Sequence, residues 1–152
     1  MSASSTTIDG DEIISWLPHR HPFLLIDHAT GFIAGEKIVG HKALQHNDPW
    51  FEGHFPGNPI MPGVLLIECM AQVGALLAAK SWNIQPTDAT IFFSSVEKAK
   101  FRQAVKPLDT LEIPVQIIGR KRDFVRFEGN VLVSQKTVAS CTFMAVTVEN
   151  TQ

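Results

Sequence analysis

From Met61 to Ala79 the chain is an almost unbroken apolar run, "MPGVLLIECMAQVGALLAA", with one carboxylate, Glu68, near its centre. A run of this length leaves two choices: a bilayer span, which needs roughly 20 apolar residues, or a helix enclosed by the rest of a protein. Glu68 argues for the second. A carboxylate at mid-membrane is expensive, and Pro62, Gly63, Gln72 and Gly74 weaken a span further. The run is therefore read as a buried helix that begins at Pro62, where a missing N–H costs nothing, and continues to about Trp82. Because apolar residues surround it on nearly every side, other elements must cover it.

Those elements read as strands. "TIFFSSVEKAKF", "TLEIPVQIIGR", "FVRFEGNVLVS" and "TVASCTFMAVTVE" follow the helix with sustained if imperfect alternation, and "GRKRD" separates two of them as a turn. Ahead of it, "PFLLIDHAT" and "EKIVGHKAL" flank a turn at "AGE", as in a hairpin. "DEIISWL" fits a short helix stopped by Pro18. The predicted fold is α+β: one antiparallel sheet of about five or six strands wrapped round one long helix. With 152 residues, no internal repeat and no linker, a single domain spanning 1–152 is expected, with residues 1–8 as a frayed tail. Such a sheet has open edges, which commonly pair with a second copy, so a homodimer is expected.

Composition closes off several function classes. A net charge of −2 lacks the basic excess that drives nonspecific nucleic-acid binding. Two cysteines, Cys69 and Cys141, without CxxC spacing favour neither a disulfide framework nor a zinc site. The start, "MSASSTTIDGDE", has no basic stretch leading into an apolar one, so a secretory signal is not expected and a cytoplasmic location is.

Candidate chemistry gathers around Glu68. Gln72 lies one helical turn later on the same face and can donate a hydrogen bond to it. His54 precedes the helix in a loop, His46 to Pro62, that Pro and Gly residues stiffen. A structural carboxylate bonded to a neighbouring loop, and a merely polar loop histidine, are the plain readings of the two residues. Together they form a base and acid pair, with His54 able to take a proton near neutral pH and Glu68 held in an apolar wall. The first amides of the helix have no internal partner, so Gly63 N–H is placed to meet a carbonyl oxygen as negative charge develops on it. Base, acid and oxyanion donor suit proton abstraction beside a carbonyl with loss or gain of water across the adjacent bond.

Three segments, "LPHRHPFLLID", "GHFPGNPIMPGVLLIECMAQ" and "KAKFR", resemble the motifs of the (3R)-hydroxyacyl-acyl carrier protein dehydratases of dissociated fatty acid synthesis, over roughly residues 12 to 148. The resemblance implies the hot-dog fold. It assigns catalysis to His54 and Glu68, contributed by different subunits of a dimer, with further assembly into a trimer of dimers. Glu68, and Gly53 ahead of His54, match the plain dehydratase branch, whose isomerase relatives carry aspartate and cysteine there. No cofactor and no metal are implied; His19 and His21 form an HxH pair without further ligands at suitable spacing. His21 stands where the family usually has tyrosine, and "NDPW", Asn47 to Trp50, departs from the usual lead-in.

The implied partner is an acyl carrier protein bearing its acyl chain on phosphopantetheine. Lys98, Lys100 and Arg102 alternate on one strand face; with Arg120, Lys121 and Arg122 in the following turn, they are the candidate docking patch, although a solvated strand face has the same pattern. Phe92 is the candidate gate. Thioesterase chemistry and noncatalytic acyl-thioester binding are the alternatives that a fold of this kind leaves open.

Overall fold

The computed structural model describes residues 6–151. Six strands form one antiparallel sheet: β1 (His28–Ile33), β2 (Lys37–Ala43), β3 (Ala89–Phe101), β4 (Thr110–Lys121), β5 (Phe124–Val133) and β6 (Lys136–Glu149), in the order β1-β2-β4-β5-β6-β3. Helices α1 (Gly10–Trp16), α2 (Pro49–Gly53) and α3 (Gly63–Trp82) accompany it. The long helix α3 touches all the strands from β2 to β6, which is the sheet-round-helix arrangement expected.

Alternation along the central strands creates the core. Leu111, Ile113 and Val115 on β4, and Val125, Phe127 and Val131 on β5, turn one apolar face towards α3. From the helix, Leu66, Met70, Val73, Leu76 and Leu77 meet them, each fully buried apolar side chain contributing ~1.5–3 kcal/mol. The approach is closest at β2, where a Cβ on Gly40 would lie 2.4 Å from the Val73 side chain, so only glycine lets the helix settle there. At its far end α3 is closed by Asn83 in the left-handed region (φ 54), whose N–H bonds the Ala79 carbonyl.

Four expectations need correction. Ile8 is not frayed: it is buried and bridges Ala29, so the ordered chain starts before residue 9, while residues 1–5 of the expected tail lie outside those described. The strand expected over "PFLLIDHAT" begins only at His28, because the Leu25 amide is taken by the Gln72 side chain rather than by a neighbouring strand. Inside the expected 46–62 loop, Pro49 opens the one-turn helix α2, with Asp48 at its N-cap position. The alternation assumed through Lys98 is interrupted, since Lys98 has φ 54 and the β3–β6 register shifts between Glu97 and Lys100.

The β1–β2 hairpin holds a stacked imidazole pair, His28 and His41, with ring centroids 4.4 Å apart. His41 also shares a 2.8 Å hydrogen bond with Thr30 Oγ1. Burial, and then His28, push the His41 pKa below its ordinary 6.5, against a smaller opposing pull from Glu112. The unfolded chain therefore takes up this proton first as pH falls, and stability present above about pH 6.5 is lost below it. Thermal unfolding should show a drop in Tm from about pH 7.5 to about 5.5, and His41→Gln should make that drop smaller.

Candidate active site

Gln72 is fully buried, and its amide is completely used. Its Oε1 accepts from Leu25 N at 2.8 Å, and its Nε2 donates to the Phe23 carbonyl at 2.7 Å and to Glu68 Oε2 at 2.8 Å. Two of those bonds tie α3 to the segment 18–27; the third fixes the carboxyl one turn away. His19, from the same segment, brings Nε2 to 3.6 Å from the same Glu68 oxygen. Burial lowers the His19 pKa and outweighs the opposing pull of Glu68, so the ring is neutral at neutral pH. Sequence reasoning gives His19 only as half of an HxH pair; its place in the motif "LPHRHPFLLID" is the signal that could have found it.

His54 sits where α2 ends. Its Nδ1 lies 2.7 Å from the Ile60 carbonyl, while Ile60 N donates back to the His54 carbonyl at 2.7 Å. A carbonyl only accepts, so Nδ1 carries the hydrogen and the neutral ring keeps its lone pair on Nε2. The turn is closed by the reciprocal pair Phe55 N to Asn58 O and Asn58 N to Phe55 O, at 3.0 and 2.8 Å. The Phe55 ring stacks on the imidazole at 3.9 Å. Gly63 borders the same cavity, and its amide, first in α3, has no hydrogen-bond partner among the described residues. A Cβ there would come within 2.9 Å of the Phe101 ring.

Within one chain His54 and Glu68 do not face each other. His54 and Gly63 line a cavity with Met61, Val64, Phe101 and Arg102. Glu68 opens into another, of about 180 Å³, with His19, Ala71, Gln72, Phe92 and Phe93. Phe92 is thus beside the acid and half exposed, whereas Phe93 packs edge-on against Phe143. Despite the bulge, Lys98, Lys100 and Arg102 still border one polar groove, with Asn130, Ser140 and Thr142. The other three basic residues lie elsewhere. Register along β6 sets the β4–β5 turn beside Val146 but Lys100 beside Ser140, so the two basic groups sit at separate levels of the sheet. Arg120 is stacked 3.8 Å over Trp82, at the end of α3 away from Gly63. Among the described residues no group of three His, Cys, Asp or Glu side chains is placed to hold a metal ion.

The FabA-like domain model matches residues 17–142. The chain belongs to the FabA-like family. Curated relatives of this FabA-like chain include two named 3-hydroxyacyl-[acyl-carrier-protein] dehydratase FabZ. That of Caulobacter vibrioides is 44% identical over 147 residues, covering 97% of this chain and 92% of that protein. That of Geobacter metallireducens is 43% identical, covering 92% and 93%. Among solved structures, the dehydratase heterocomplex ApeI:P from Xenorhabdus doucetiae superposes with a TM-score of 0.76 at 15% identity, over 92% of this chain and 91% of that one. A thioesterase of Pseudomonas aeruginosa gives 0.59 at 9% identity, over 78% of each chain. At such identities these two speak for the fold, which FabA-like dehydratases share with thioesterases.

Removing the amide that braces this FabA-like site tests its role. Gln72→Leu strands the buried Leu25 N–H, at about 1–3 kcal/mol, and the part-buried Phe23 carbonyl, at about 1 kcal/mol. Urea unfolding should show a loss of about 2–4 kcal/mol. Hydrogen exchange should accelerate at the Leu25 amide before the sheet opens.

Proposed function

We infer that the chain is a hydro-lyase that dehydrates 3-hydroxyacyl-acyl carrier protein to the 2-enoyl thioester in fatty acid synthesis. The curated relatives support the reaction, and the Nδ1-protonated His54, with its free Nε2 lone pair, is the observation that gives it a base. His54 Nε2 removes a proton from the carbon beside the thioester, and that C–H pair moves towards the C2–C3 bond. Gly63 N–H steadies the charge gathering on the thioester oxygen. Glu68 gives its proton to the 3-hydroxyl, the C3–O bond breaks and water leaves. His54 then returns its proton, and Glu68 regains one, through solvent.

The acid and base come from two copies of the chain. Strand β3 is a long edge of the sheet and exposes Phe92, Val96 and Phe101. Phe92 borders the Glu68 cavity and Phe101 the His54 cavity. Antiparallel pairing of two β3 strands about a two-fold axis near Val96 sets the Phe92 end of one against the Phe101 end of the other. Each Glu68 cavity then meets a His54 cavity, and an isologous dimer carries two sites. Phe92, beside the acid on this edge, is the side chain positioned to gate entry.

The acidic carrier docks on Lys98, Lys100 and Arg102. Arg102 also borders the His54 cavity, so a thioester arm held at this groove has a short way to the base. Arg120, Lys121 and Arg122 fall outside this docking surface. The location that fits this pathway is the cytoplasm.

His54→Ala and Glu68→Gln should each lower formation of the enoyl absorbance by at least about 10²-fold while the melting curve is unchanged. Release of free thiol by the parent would overturn the dehydratase reading. Co-expression of the two variants should restore about one quarter of the parent rate, because half of the dimers are mixed and each mixed dimer has one intact site. Light scattering should give a mass of twice 16.8 kDa, or a multiple of that pair. Reversing the charge at Lys98 and Arg102 should slow carrier-bound substrate and spare a short pantetheine thioester; equal losses on both would count against docking there.

A further inference from the structure

We propose that His19 is a positioning residue, which with Gln72 holds one oxygen of Glu68 so that the other, Oε1, is the atom that meets the substrate. The inference rests on the reading of Glu68 as the acid. Both polar neighbours of that carboxyl converge on Oε2, Gln72 Nε2 at 2.8 Å and His19 Nε2 at 3.6 Å, while Oε1 has no hydrogen-bond partner among the described residues. With both donors on Oε2, Oε1 is the oxygen left to exchange a proton with substrate.

The imidazole is aimed by its surroundings. Its Nδ1 is buried with no partner, and a buried N–H is left unpaired less readily than a buried acceptor. The hydrogen therefore belongs on Nε2, the nitrogen that lies 3.6 Å from Glu68 Oε2. At 3.6 Å the contact is electrostatic rather than a hydrogen bond, and such contacts shorten when substrate closes the site. Pro18 precedes the residue, and Arg20 pins the backbone by donating to the carbonyls of Ile14, Leu17 and His19 at 3.2, 2.8 and 2.7 Å. On the other side, Gln72 anchors Phe23 and Leu25. A ring kept merely to fill space would not need a nitrogen with no partner at that depth.

Two charged side chains act on the ring, Glu68 and, from the backbone side, Arg20. α3 presents Glu68 and Gln72, β3 presents Phe92 and Phe93, and β6 presents Phe143 and Ala145. Burial, and to a smaller extent Arg20, hold the His19 pKa below its ordinary value against the pull of Glu68, so the ring orients the carboxyl as a neutral donor.

Three substitutions separate positioning from packing. Glutamine can carry an N–H to the place of Nε2, asparagine stops near Nδ1, and leucine carries none. His19→Gln should keep kcat within about threefold of the parent, and His19→Asn and His19→Leu should lower it about 10–100-fold with KM within about twofold. In a Glu68→Gln background His19→Asn should add no further loss, because its effect passes through the carboxyl. Equal kcat for the Gln and Asn variants, or an undiminished loss in the Glu68→Gln background, would overturn the proposal; because both polar variants are compared with each other, a failure of the leucine variant to fold leaves the test intact. Glu68→Gln alone at the parent rate would overturn the acid assignment itself. Inactive Glu68→Gln beside a fully active His19→Asn would overturn only the positioning role.

Discussion

The side-chain amide of Gln72 is the point on which the helix, the preceding loop and the acid all depend. Among the described residues it is the one buried polar side chain, and it satisfies three partners at once: a backbone N–H, a backbone carbonyl and a carboxyl oxygen. Without it, segment 18–27 would present unpaired backbone groups to an apolar helix, and Glu68 would be free to rotate into solvent. The segment gains a second anchor at Asp27, whose carboxylate accepts from Ala43 N at 2.7 Å and from Lys42 Nζ at 3.1 Å. The far end of α3 is held independently, by Lys80 on the Glu12 carboxylate of α1, a contact that lowers the Glu12 pKa. The helix is thus fixed at its middle by an amide and near its end by an ion pair, which leaves its N-terminal turn open beside His54.

That openness follows from how a long helix is used here. Core packing takes the side of α3 that carries Cys69, Met70, Val73, Leu76 and Leu77, and these are essentially inaccessible. The neighbouring stripe at Val64, Glu68, Ala71 and Ala75 faces β3, where covering is thinner. Chemistry can be carried on a core helix only along such a stripe, since a carboxyl on the packed side would need a buried partner of its own. The stripe ends at the edge of the sheet, where β3 has no strand beyond it.

Elements with a strong periodic or compositional signal were legible in the sequence: α3 within one residue of its start and at its end, the strands of the second half, and the turn between β4 and β5. The same reading placed Glu68 beside Gln72 because i,i+4 spacing fixes neighbours on a helix. It failed where tertiary partners override local pattern. Leu24, Leu25 and Ile26 look like strand residues, yet a side-chain amide on a distant helix takes the Leu25 N–H. Lys98 looks like one step of a regular alternation, but a bulge occupies it. His19 was invisible as a neighbour of Glu68 because no spacing rule links a loop residue to a helix residue so far along the chain, and Arg120 was grouped with Lys121 and Arg122 by adjacency although its guanidinium lies over Trp82.

The cavity beside the acid has a simple steric origin. Ala71 and Ala75 are the small residues of the α3 stripe, and facing them are Phe92 and Phe93 on β3 with Phe143 on β6. Three large rings against two methyl groups leave a slot, and two of the rings are held by their neighbours, Phe93 on Phe143 and Phe143 on Phe127 at centroid separations of 5.7 and 4.9 Å. A Cβ on Gly74 would meet the Phe143 ring at 2.8 Å. That ring therefore already rests on the helix backbone and cannot move closer to fill the gap. The wall that continues from Glu68 carries no titratable group on β3 or β6, and among the described residues the polar side chains that line this cavity are Glu68, Gln72 and His19. A carboxyl in that setting meets no competing polar side chain from β3 or β6.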